Sequence, residues 1–144
     1  MTQVDDLGNL IGYQLKEVQS ALRARMDDTL RPLGLTTPQY ACLELLARTP
    51  GASNAELARG AFVTRQTMNT LLRGLQDRDL VERAIHPPSG RALPTTLTTE
   101  GRALLDQASS KVRSIEADLV SQLSEQQRRD LHDALSHCID GLTA

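Results

Sequence analysis

The apolar residues of this chain recur every three or four positions along most of its length, and the period changes only near residues 80–97. Such spacing predicts amphipathic helices, since residues three and four apart share one helix face. The first apolar stripe comprises Leu7, Leu10, Ile11, Leu15, Val18, Leu22, Met26 and Leu30. Pro32 and Gly34 follow this stripe and end the predicted first helix. The pattern therefore indicates a mainly α-helical fold with one short β insertion.

Helix-start and helix-stop signals divide the rest of the chain into five further helices. A Ser or Thr before a helical stripe can cap free N–H groups, and a Glu or Gln three residues later completes a capping box. The start signals are Thr37-Pro38, Ser53 with Glu56, Thr64, Thr98, and Ser124 with Gln127, and Pro50-Gly51 is a break. These signals predict long helical regions at residues 5–31 and 99–142 around a central lobe at residues 36–98.

Residues 80–86 and 93–97 read as two short extended segments, separated by the turn-forming residues Pro87, Pro88, Ser89 and Gly90. Turn residues between two such segments predict a β-hairpin. Two short helices with a tight connection, followed by a hairpin, have the order of a winged helix-turn-helix. We expect one domain of 144 residues, mainly α, in which long terminal helices carry a winged lobe with a small two- or three-stranded β wing.

Composition excludes several classes of protein. The apolar content of 40% argues against disorder, and no apolar run reaches the roughly 18 residues that a membrane-spanning helix needs. The acidic N-terminal stretch MTQVDDLGNL lacks the basic and apolar regions of a signal peptide, so we expect a cytoplasmic protein. Cys42 and Cys138 are isolated in the sequence, which is typical of a reducing compartment rather than of a disulfide framework.

The net charge of −2 is unusual for a protein that binds DNA, but the charge is unevenly distributed. Residues 51–102 carry seven Arg and five acidic side chains, a balance of +2. Residues 1–50 and 103–144 have balances of −1 and −3. A local positive excess can meet phosphate if it is gathered on one face. The charge distribution therefore points to the central lobe as the part that contacts DNA.

The fourth predicted helix has an apolar side and a polar side that contains no acidic residue. Met68, Leu71, Leu72 and Leu75 form the apolar side, and Arg65, Gln66, Asn69, Thr70 and Arg73 form the polar side. A helix fits the major groove, where Arg pairs with guanine and Asn or Gln with adenine, and residues near its start reach deepest. Thr64 and Thr67 stand at the helix start, which favours phosphate. The alternative interpretation is an ordinary solvated helix face.

The predicted hairpin tip places Arg91 directly after Ser89 and Gly90. An arginine on a narrow projection suits the minor groove, where the negative potential of DNA is enhanced. The alternative for Arg91 is an ordinary exposed arginine in a turn. Beside the polar helix, this arginine favours a DNA-binding lobe that uses both grooves.

Three stretches of the chain resemble the multiple antibiotic resistance regulator (MarR) family of winged-helix regulators. They are RPLGLTTPQYACLELLA, SNAELARGAFVTRQTMNTLLRGLQDRDLVER and SGRALPTTLTTEGRALL, and the resemblance covers nearly all of the sequence. The resemblance implies a homodimer that binds a near-palindromic site on double-stranded DNA. Members of the family are more often repressors than activators, so a repressor is the expected role. The first, fifth and sixth helices would interlock across a two-fold axis. The polar residues of the fourth helix would face the major groove, with Arg91 on the wing.

The resemblance also implies a small aromatic or phenolic effector, bound between the dimer helices and the DNA-binding lobe. Tyr13, Leu43, Leu46 and Phe62 are the candidate pocket residues, and the alternative is that they belong to the ordinary core. Such an effector changes DNA binding only if it binds one dimer geometry better than another.

Other functions find less support in the sequence. A winged-helix dimer that binds protein partners, without specific DNA binding, is the alternative function that the mild net charge leaves open. No glycine-rich phosphate loop or GxSxG motif indicates an enzyme, and no cofactor is expected. Cys42 has no basic neighbour in sequence, so a buried thiol is favoured over an oxidant sensor. The spacing of His132 and His137, beside Cys138, is wrong for one metal-binding helix face.

Overall fold

The computed structural model describes residues 3–83 and 94–144, with side chains described from residue 6 onwards. Within these ranges the helices are α1 (Gln3–Gly8), α2 (Ile11–Leu30), α3 (Thr37–Arg48), α4 (Asn54–Ala61), α5 (Arg65–Asp77), α6 (Thr99–Leu119) and α7 (Glu125–Thr143). Strands β1 (Val81–Arg83) and β2 (Thr95–Leu97) lie between α5 and α6, and a short 3-10 turn, Arg31–Leu33, follows α2. The mainly α architecture with a small β hairpin is the predicted one.

The prediction of one continuous first helix is wrong, because this part of the chain forms two helices, α1 and α2. The backbone of Leu10 is extended between them, with φ −85° and ψ 129°. The amide of Asn9 donates to the carbonyl of Asp6 at 3.3 Å, as in a tight turn. Gly8 and Asn9 are both weak helix formers, and two in succession interrupt the helix. The fourth helix of the sequence pattern is therefore α5 in the structure.

The start of α3 corrects a second expectation, since its cap is Thr36 rather than Thr37. The amide of Gln39 donates to Thr36 Oγ1 at 3.2 Å, and Gln39 Oε1 accepts from the Thr36 amide at 3.0 Å. The neighbouring Thr37 Oγ1 instead donates to Asp27 Oδ1 at 2.6 Å. Gln39 stands three residues after Thr36 and completes a capping box, whereas Tyr40 stands three residues after Thr37, so the local sequence already favours Thr36 as the cap.

The other predicted caps are confirmed. Ser53 and Ser124 each form a complete capping box, with Glu56 and Gln127 respectively. Thr64 Oγ1 accepts from the amide of Thr67 at 3.0 Å at the start of α5, and Thr98 caps α6 in the same way. A cap of this kind contributes about 1 kcal/mol to stability, so these local bonds set where α4 to α7 begin.

The two strands pair antiparallel and close the lobe against α6. Val81 lies opposite Leu97, and Arg83 lies opposite Thr95. Val81 and Thr95 are buried, whereas Glu82 is exposed, as the two-residue period of a strand requires. The predicted segments at residues 80–86 and 93–97 are thus confirmed where they are described, and residues 84–93 lie outside the described range.

The core lies where α3, α4, α5 and the hairpin of the winged lobe meet the end of α2 and the first half of α6. Its fully buried large side chains include Leu30, Leu43, Leu46, Leu57, Met68, Leu72 and Leu75. Each such Leu or Met stabilises the fold by about 1.5–3 kcal/mol relative to an exposed position. By contrast, α7 contains no buried residue, and the stripes on α1 and α2 leave Leu7, Ile11, Leu15 and Val18 exposed. The core therefore holds α5 rigidly and leaves apolar faces uncovered outside the lobe.

Candidate nucleic-acid interface

Helix α5 separates its side chains as its sequence predicts. Met68, Leu72 and Leu75 are buried in the core, while the polar residues are exposed. The exposed set comprises Thr64 as cap, then Arg65, Gln66, Thr67, Asn69, Thr70 and Arg73. The structure therefore brings together all the predicted DNA-contacting residues except Arg91, which lies outside the described residues. A face this polar and free of acidic groups, on a helix anchored by three buried side chains, can be offered to a groove without rearrangement.

The charges on this face are free of competing partners within the described part of the chain. Four ion pairs occur there, and none of them involves Arg65 or Arg73. The first turn of α5 contains no acidic residue. The first N–H groups of a helix have no intrahelical acceptor, and the helix dipole adds positive potential at the same end. The start of α5 is thus suited to receive a phosphate or a base edge.

Four of the polar side chains are already partly engaged within the protein, and Thr64 Oγ1 donates to Thr67 Oγ1 at 3.0 Å. Thr70 Oγ1 donates to the carbonyl of Gln66 at 3.2 Å, so its hydroxyl proton points back to its own helix. The Asn54 side chain, at the start of α4, donates through Nδ2 to Asn69 Oδ1. Asn54 was not identified from the sequence. The only signal for it is its position as the first residue of α4, which a helix-turn-helix packs beside the start of the following helix.

The four predicted pocket residues do not meet around one cavity within the described chain. Leu43 and Leu46 are 0% and 1% exposed and belong to the lobe core, so they behave as the alternative interpretation expects. Tyr13 is partly exposed on α2, and Phe62 is 94% exposed at the end of α4.

Phe62 carries backbone strain as well as an exposed ring. It has φ 59° and ψ 41°, the left-handed region, and its amide closes α4 by donating to Ala58 and Arg59. This conformation costs a residue with a side chain about 1–2 kcal/mol. Phe62→Gly is expected to raise the free energy of unfolding by about 1 kcal/mol, measured by urea denaturation. Phe62→Ala keeps the Cβ and should show no such gain; equal gains in both variants would assign the effect to the ring instead.

A cavity of about 190 Å³ lies between α2, the start of α3 and α6. Its lining combines apolar and polar side chains: Gln19, Leu22, Arg23, Met26, Thr37, Val112, Ile115 and Glu116. Arg23 Nε donates to both carboxylate oxygens of Asp27 at 3.2 Å. The hydroxyl of Thr37, followed by Arg23, lowers the pKa of Asp27 from its ordinary value. The cavity thus has an apolar wall, the guanidinium group of Arg23, which pairs with Asp27, and the carboxylate of Glu116.

The cysteines and histidines do not form a reactive site in the described residues. Cys42 is fully buried beside Met68, and burial raises the pKa of its thiol to about 12. Its thiol therefore stays protonated near neutral pH, as the expected buried cysteine should. Within residues 3–83 and 94–144, no three His, Cys, Asp or Glu side chains are grouped so that they could hold a metal ion. None of the helices in these ranges has the length and apolar content needed to cross a membrane.

The fold and the α5 face together define a winged helix-turn-helix protein. A sequence profile of the MarR family matches residues 33–92. The HTH-type transcriptional repressor Rv2887 of Mycobacterium tuberculosis (strain ATCC 25618 / H37Rv) is 47% identical over 120 residues, which are 83% of this chain and 86% of the relative. This chain belongs to the MarR family.

Solved structures of Mycobacterium tuberculosis Rv2887 are similar to this chain over most of both molecules. The complex of that protein with salicylic acid has a TM-score of 0.72 and 44% identity, covering 90% of this chain and 96% of the other. Its complex with DNA has a TM-score of 0.72 and 42% identity, covering 90% and 97%. The predicted family, fold class and kind of function are thereby confirmed.

Proposed function

We propose that this chain is a transcriptional repressor that binds double-stranded DNA with sequence specificity as a homodimer. The observation that carries the proposal is the exposed polar face at residues 65–73 of α5, which contains no acidic residue, is held by a buried apolar side and opens at a helix start. Rv2887, a relative at 47% identity, is a repressor, and a structure of that protein contains DNA. The family consists of DNA-binding regulators rather than enzymes, and the cytoplasm is where such a protein meets its DNA.

In this proposal α5 lies in the major groove. Arg65, Gln66, Asn69, Thr70 and Arg73 face the base edges, with Thr64 and Thr67 beside the phosphate backbone. Arg91 on the wing enters the minor groove. The exposure of the α5 residues and the absence of ion pairs at Arg65 and Arg73 among the described residues support this arrangement.

The homodimer is proposed from the apolar side chains that one chain leaves uncovered. On α7 they are Leu131, Leu135, Ile139 and Leu142, and on α1 and α2 they include Leu7, Ile11, Leu15 and Val18. A groove of about 410 Å³ separates the α2 and α7 stripes. Exposed apolar faces of this extent mark an interface, and a two-fold dimer buries the same patch on both chains. Two α5 helices then read half-sites about one DNA turn apart, roughly 34 Å.

The direct test is a gel shift with DNA from the promoter of the chain's own gene, titrated against random DNA at several salt concentrations. Selective binding that weakens as salt rises supports the proposal, because phosphate contacts release counterions. Binding that is equal on both DNAs, or absent at low salt, would contradict it and favour a winged-helix dimer that binds protein partners.

A mutation series tests the assignment of the groove-facing residues. Arg65→Ala and Asn69→Ala are each expected to cost about 1–3 kcal/mol on the true site and to relax base preference at one position. Arg91→Ala should weaken binding evenly across sequences. Gln76→Ala, an exposed polar truncation at the far end of α5, serves as the matched control and should change little. If Arg65→Ala and Asn69→Ala lose affinity equally on random and operator DNA, as Arg91→Ala is expected to do, the assignment of the base-reading residues is wrong.

The effector in this proposal is a small aromatic acid that occupies the cavity between α2, α3 and α6. Its carboxylate meets Arg23, and its ring rests on Leu22 and Ile115. Two observations support this: the lining of the cavity, and the complexes of Rv2887 with salicylic acid and p-aminosalicylic acid.

Arg23→Leu tests the effector site with salicylate as the probe. Removing the guanidinium group should raise the salicylate concentration that releases operator DNA by about tenfold or more, since a charge-assisted bond contributes about 1.5–3 kcal/mol. Arg25→Leu is the matched control, because Arg25 lies on the same helix and pairs with Asp118 at 2.8 Å instead of lining the cavity. An unchanged release concentration in Arg23→Leu would place the effector elsewhere.

A further inference from the structure

The exposed face of α5 contains an open depression on one flank of the helix. The depression has a volume of about 270 Å³ and is lined by Gln66, Thr67, Thr70 and Leu71. Thr70 lies opposite the buried side of α5, with Thr67 and Leu71 to one side of it, since a helix has about 3.6 residues per turn. Leu71 is only partly buried, so the depression has an apolar edge beside its polar side chains.

The two threonines of the α5 depression use their hydroxyl groups within the protein. Thr70 Oγ1 donates to the carbonyl of Gln66 at 3.2 Å, and Thr67 Oγ1 accepts from Thr64 Oγ1 at 3.0 Å. While its proton is bonded to its own helix, the Thr70 hydroxyl can accept from a base but cannot donate to one. Each threonine also carries a methyl group, which adds to the apolar surface that Leu71 supplies.

Gly74 leaves the same flank of α5 open one turn further along. It follows Thr70 by four residues and Leu71 by three, so the three residues are neighbours on the helix surface. No tertiary atom lies within 4 Å of the position that a Cβ would take at Gly74, so packing within this chain does not require a glycine there. A glycine inside a helix is destabilising relative to alanine. Here it leaves room for a group from outside the chain to approach the depression.

The major groove of DNA offers one apolar group on its base edges, the C5 methyl of thymine. Apolar contact with this methyl is one of the ways in which a threonine side chain distinguishes thymine from the other bases. In the proposed complex α5 lies in the major groove, with Thr70 at the centre of the face that enters it. The depression thus combines a place beside the base edges with a partly apolar lining.

We propose that the α5 depression binds the C5 methyl group of a thymine, with the methyl group of Thr70 as the main contact. This inference rests on the proposed DNA-binding function and deepens it, because Thr70 then selects a base by apolar contact rather than by donating a hydrogen bond. Another pyrimidine with the same methyl group, 5-methylcytosine, fits the depression in the same way.

The experiment compares thymine with deoxyuridine, which lacks only the C5 methyl group and pairs with adenine in the same way. Each position of one operator half-site carries an A·T or a T·A pair in turn, with thymine or deoxyuridine in the thymine strand, and gel shifts give the dissociation constants. At one position or more, the wild-type protein should bind thymine about fourfold more tightly than deoxyuridine, the effect of burying one methyl group. At that position 5-methylcytosine should bind more tightly than cytosine by a similar factor.

Two substitutions of similar size separate the methyl group of Thr70 from its hydroxyl group. Thr70→Ser keeps the hydroxyl and removes the methyl, so the ratio of the two dissociation constants should fall towards one. Thr70→Val keeps a methyl and removes the hydroxyl, so the ratio should remain near fourfold. Thr70 is exposed, and Ser, Thr and Val have similar helix propensities, so both variants should fold. The ratio compares two DNAs on the same protein and is therefore insensitive to changes in overall affinity.

Thr99→Ser is the matched control, because it makes the same chemical change at an exposed helical position on α6 and should leave the ratio unchanged. A wild-type ratio near one at every position overturns the inference, and so does a ratio that survives in Thr70→Ser. Loss of the ratio in Thr70→Val also overturns it, since the preference would then belong to the hydroxyl group. Wild-type protein that binds operator and random DNA equally would instead contradict the proposed function itself.

Discussion

Gly101→Ala is expected to lower the free energy of unfolding by about 3 kcal/mol or more, the upper range for overpacking a core. Gly101 is buried in the first turn of α6, directly against the backbone of Leu80. A Cβ at this position would overlap the Leu80 carbonyl oxygen and lie 2.9 Å from its carbonyl carbon. Backbone atoms cannot turn aside as a flexible side chain can, so either α6 or the turn between α5 and β1 must move.

The hydrogen bonds around Gly101 make that movement costly. Its amide donates to Thr98 Oγ1 at 3.0 Å, and the Thr98 amide donates to the Leu80 carbonyl at 3.1 Å. The Leu80 carbonyl thus accepts a hydrogen bond from Thr98, the cap of α6, and also lies against Gly101 in the first turn of that helix. Displacing α6 breaks the Thr98–Leu80 hydrogen bond, which joins the winged lobe to this long helix.

Urea denaturation at one fixed protein concentration measures the effect of Gly101→Ala, and Gly74→Ala is the matched control. Gly74 lies inside α5, and no tertiary neighbour comes within 4 Å of the place that an alanine Cβ would take. There the same change should stabilise the protein by about 0.5–1 kcal/mol, because alanine is the better helix former. Equal changes in the free energy of unfolding at the two glycines would show that the close approach of α6 to Leu80 does not affect stability.

Leu135→Asp is expected to convert the dimer into monomers and to weaken operator binding by at least about 100-fold, equivalent to roughly 2.8 kcal/mol. Leu135 is 37% exposed within one chain and belongs to the uncovered stripe of α7. In a two-fold interface the substitution places two carboxylates in an apolar contact, and each buried unpaired charge costs several kcal/mol. A monomer also contacts only one of the two half-sites of the operator.

Light scattering coupled to size exclusion gives the mass of the Leu135→Asp variant, and a gel shift gives its affinity. Asp133→Leu is the reciprocal control, because a residue two positions away points to the other side of a helix. That variant should remain dimeric and bind as wild type does. A Leu135→Asp protein that elutes with the mass of a dimer would show that the α7 stripe is covered in another way.

Much of the fold and of the DNA-facing surface could be predicted from the sequence because the deciding interactions are short in range. Ser53 with Glu56, Thr64 with Thr67, and Ser124 with Gln127 each close a hydrogen-bonded turn within four residues. The two faces of α5 follow from helical spacing alone, since Met68 and Leu72 share one side. No knowledge of the neighbouring elements is needed for either kind of inference.

The wrong predictions concern the break in the first helix and the start of α3, and each has its own physical cause. Thr36 rather than Thr37 caps α3, because Gln39 completes its capping box and the Asp27 carboxylate on α2 accepts from the hydroxyl of Thr37. Phe62 is a candidate pocket residue by the family resemblance, and its place at the left-handed end of α4 leaves it 94% exposed in one chain. Residue type does not determine on which side of a turn a side chain emerges.

The amino-acid sequence by itself determined where the helices begin, which face of α5 is polar, and that long apolar stripes flank a winged lobe, because each depends on residues within one or two turns. Only the tertiary structure decided that Asn54 contacts Asn69 across 15 positions, that Arg23 and Thr37 share Asp27 beside a cavity, and that α6 passes against Leu80. These contacts join residues far apart in the chain, and their geometry is set by how the helices cross.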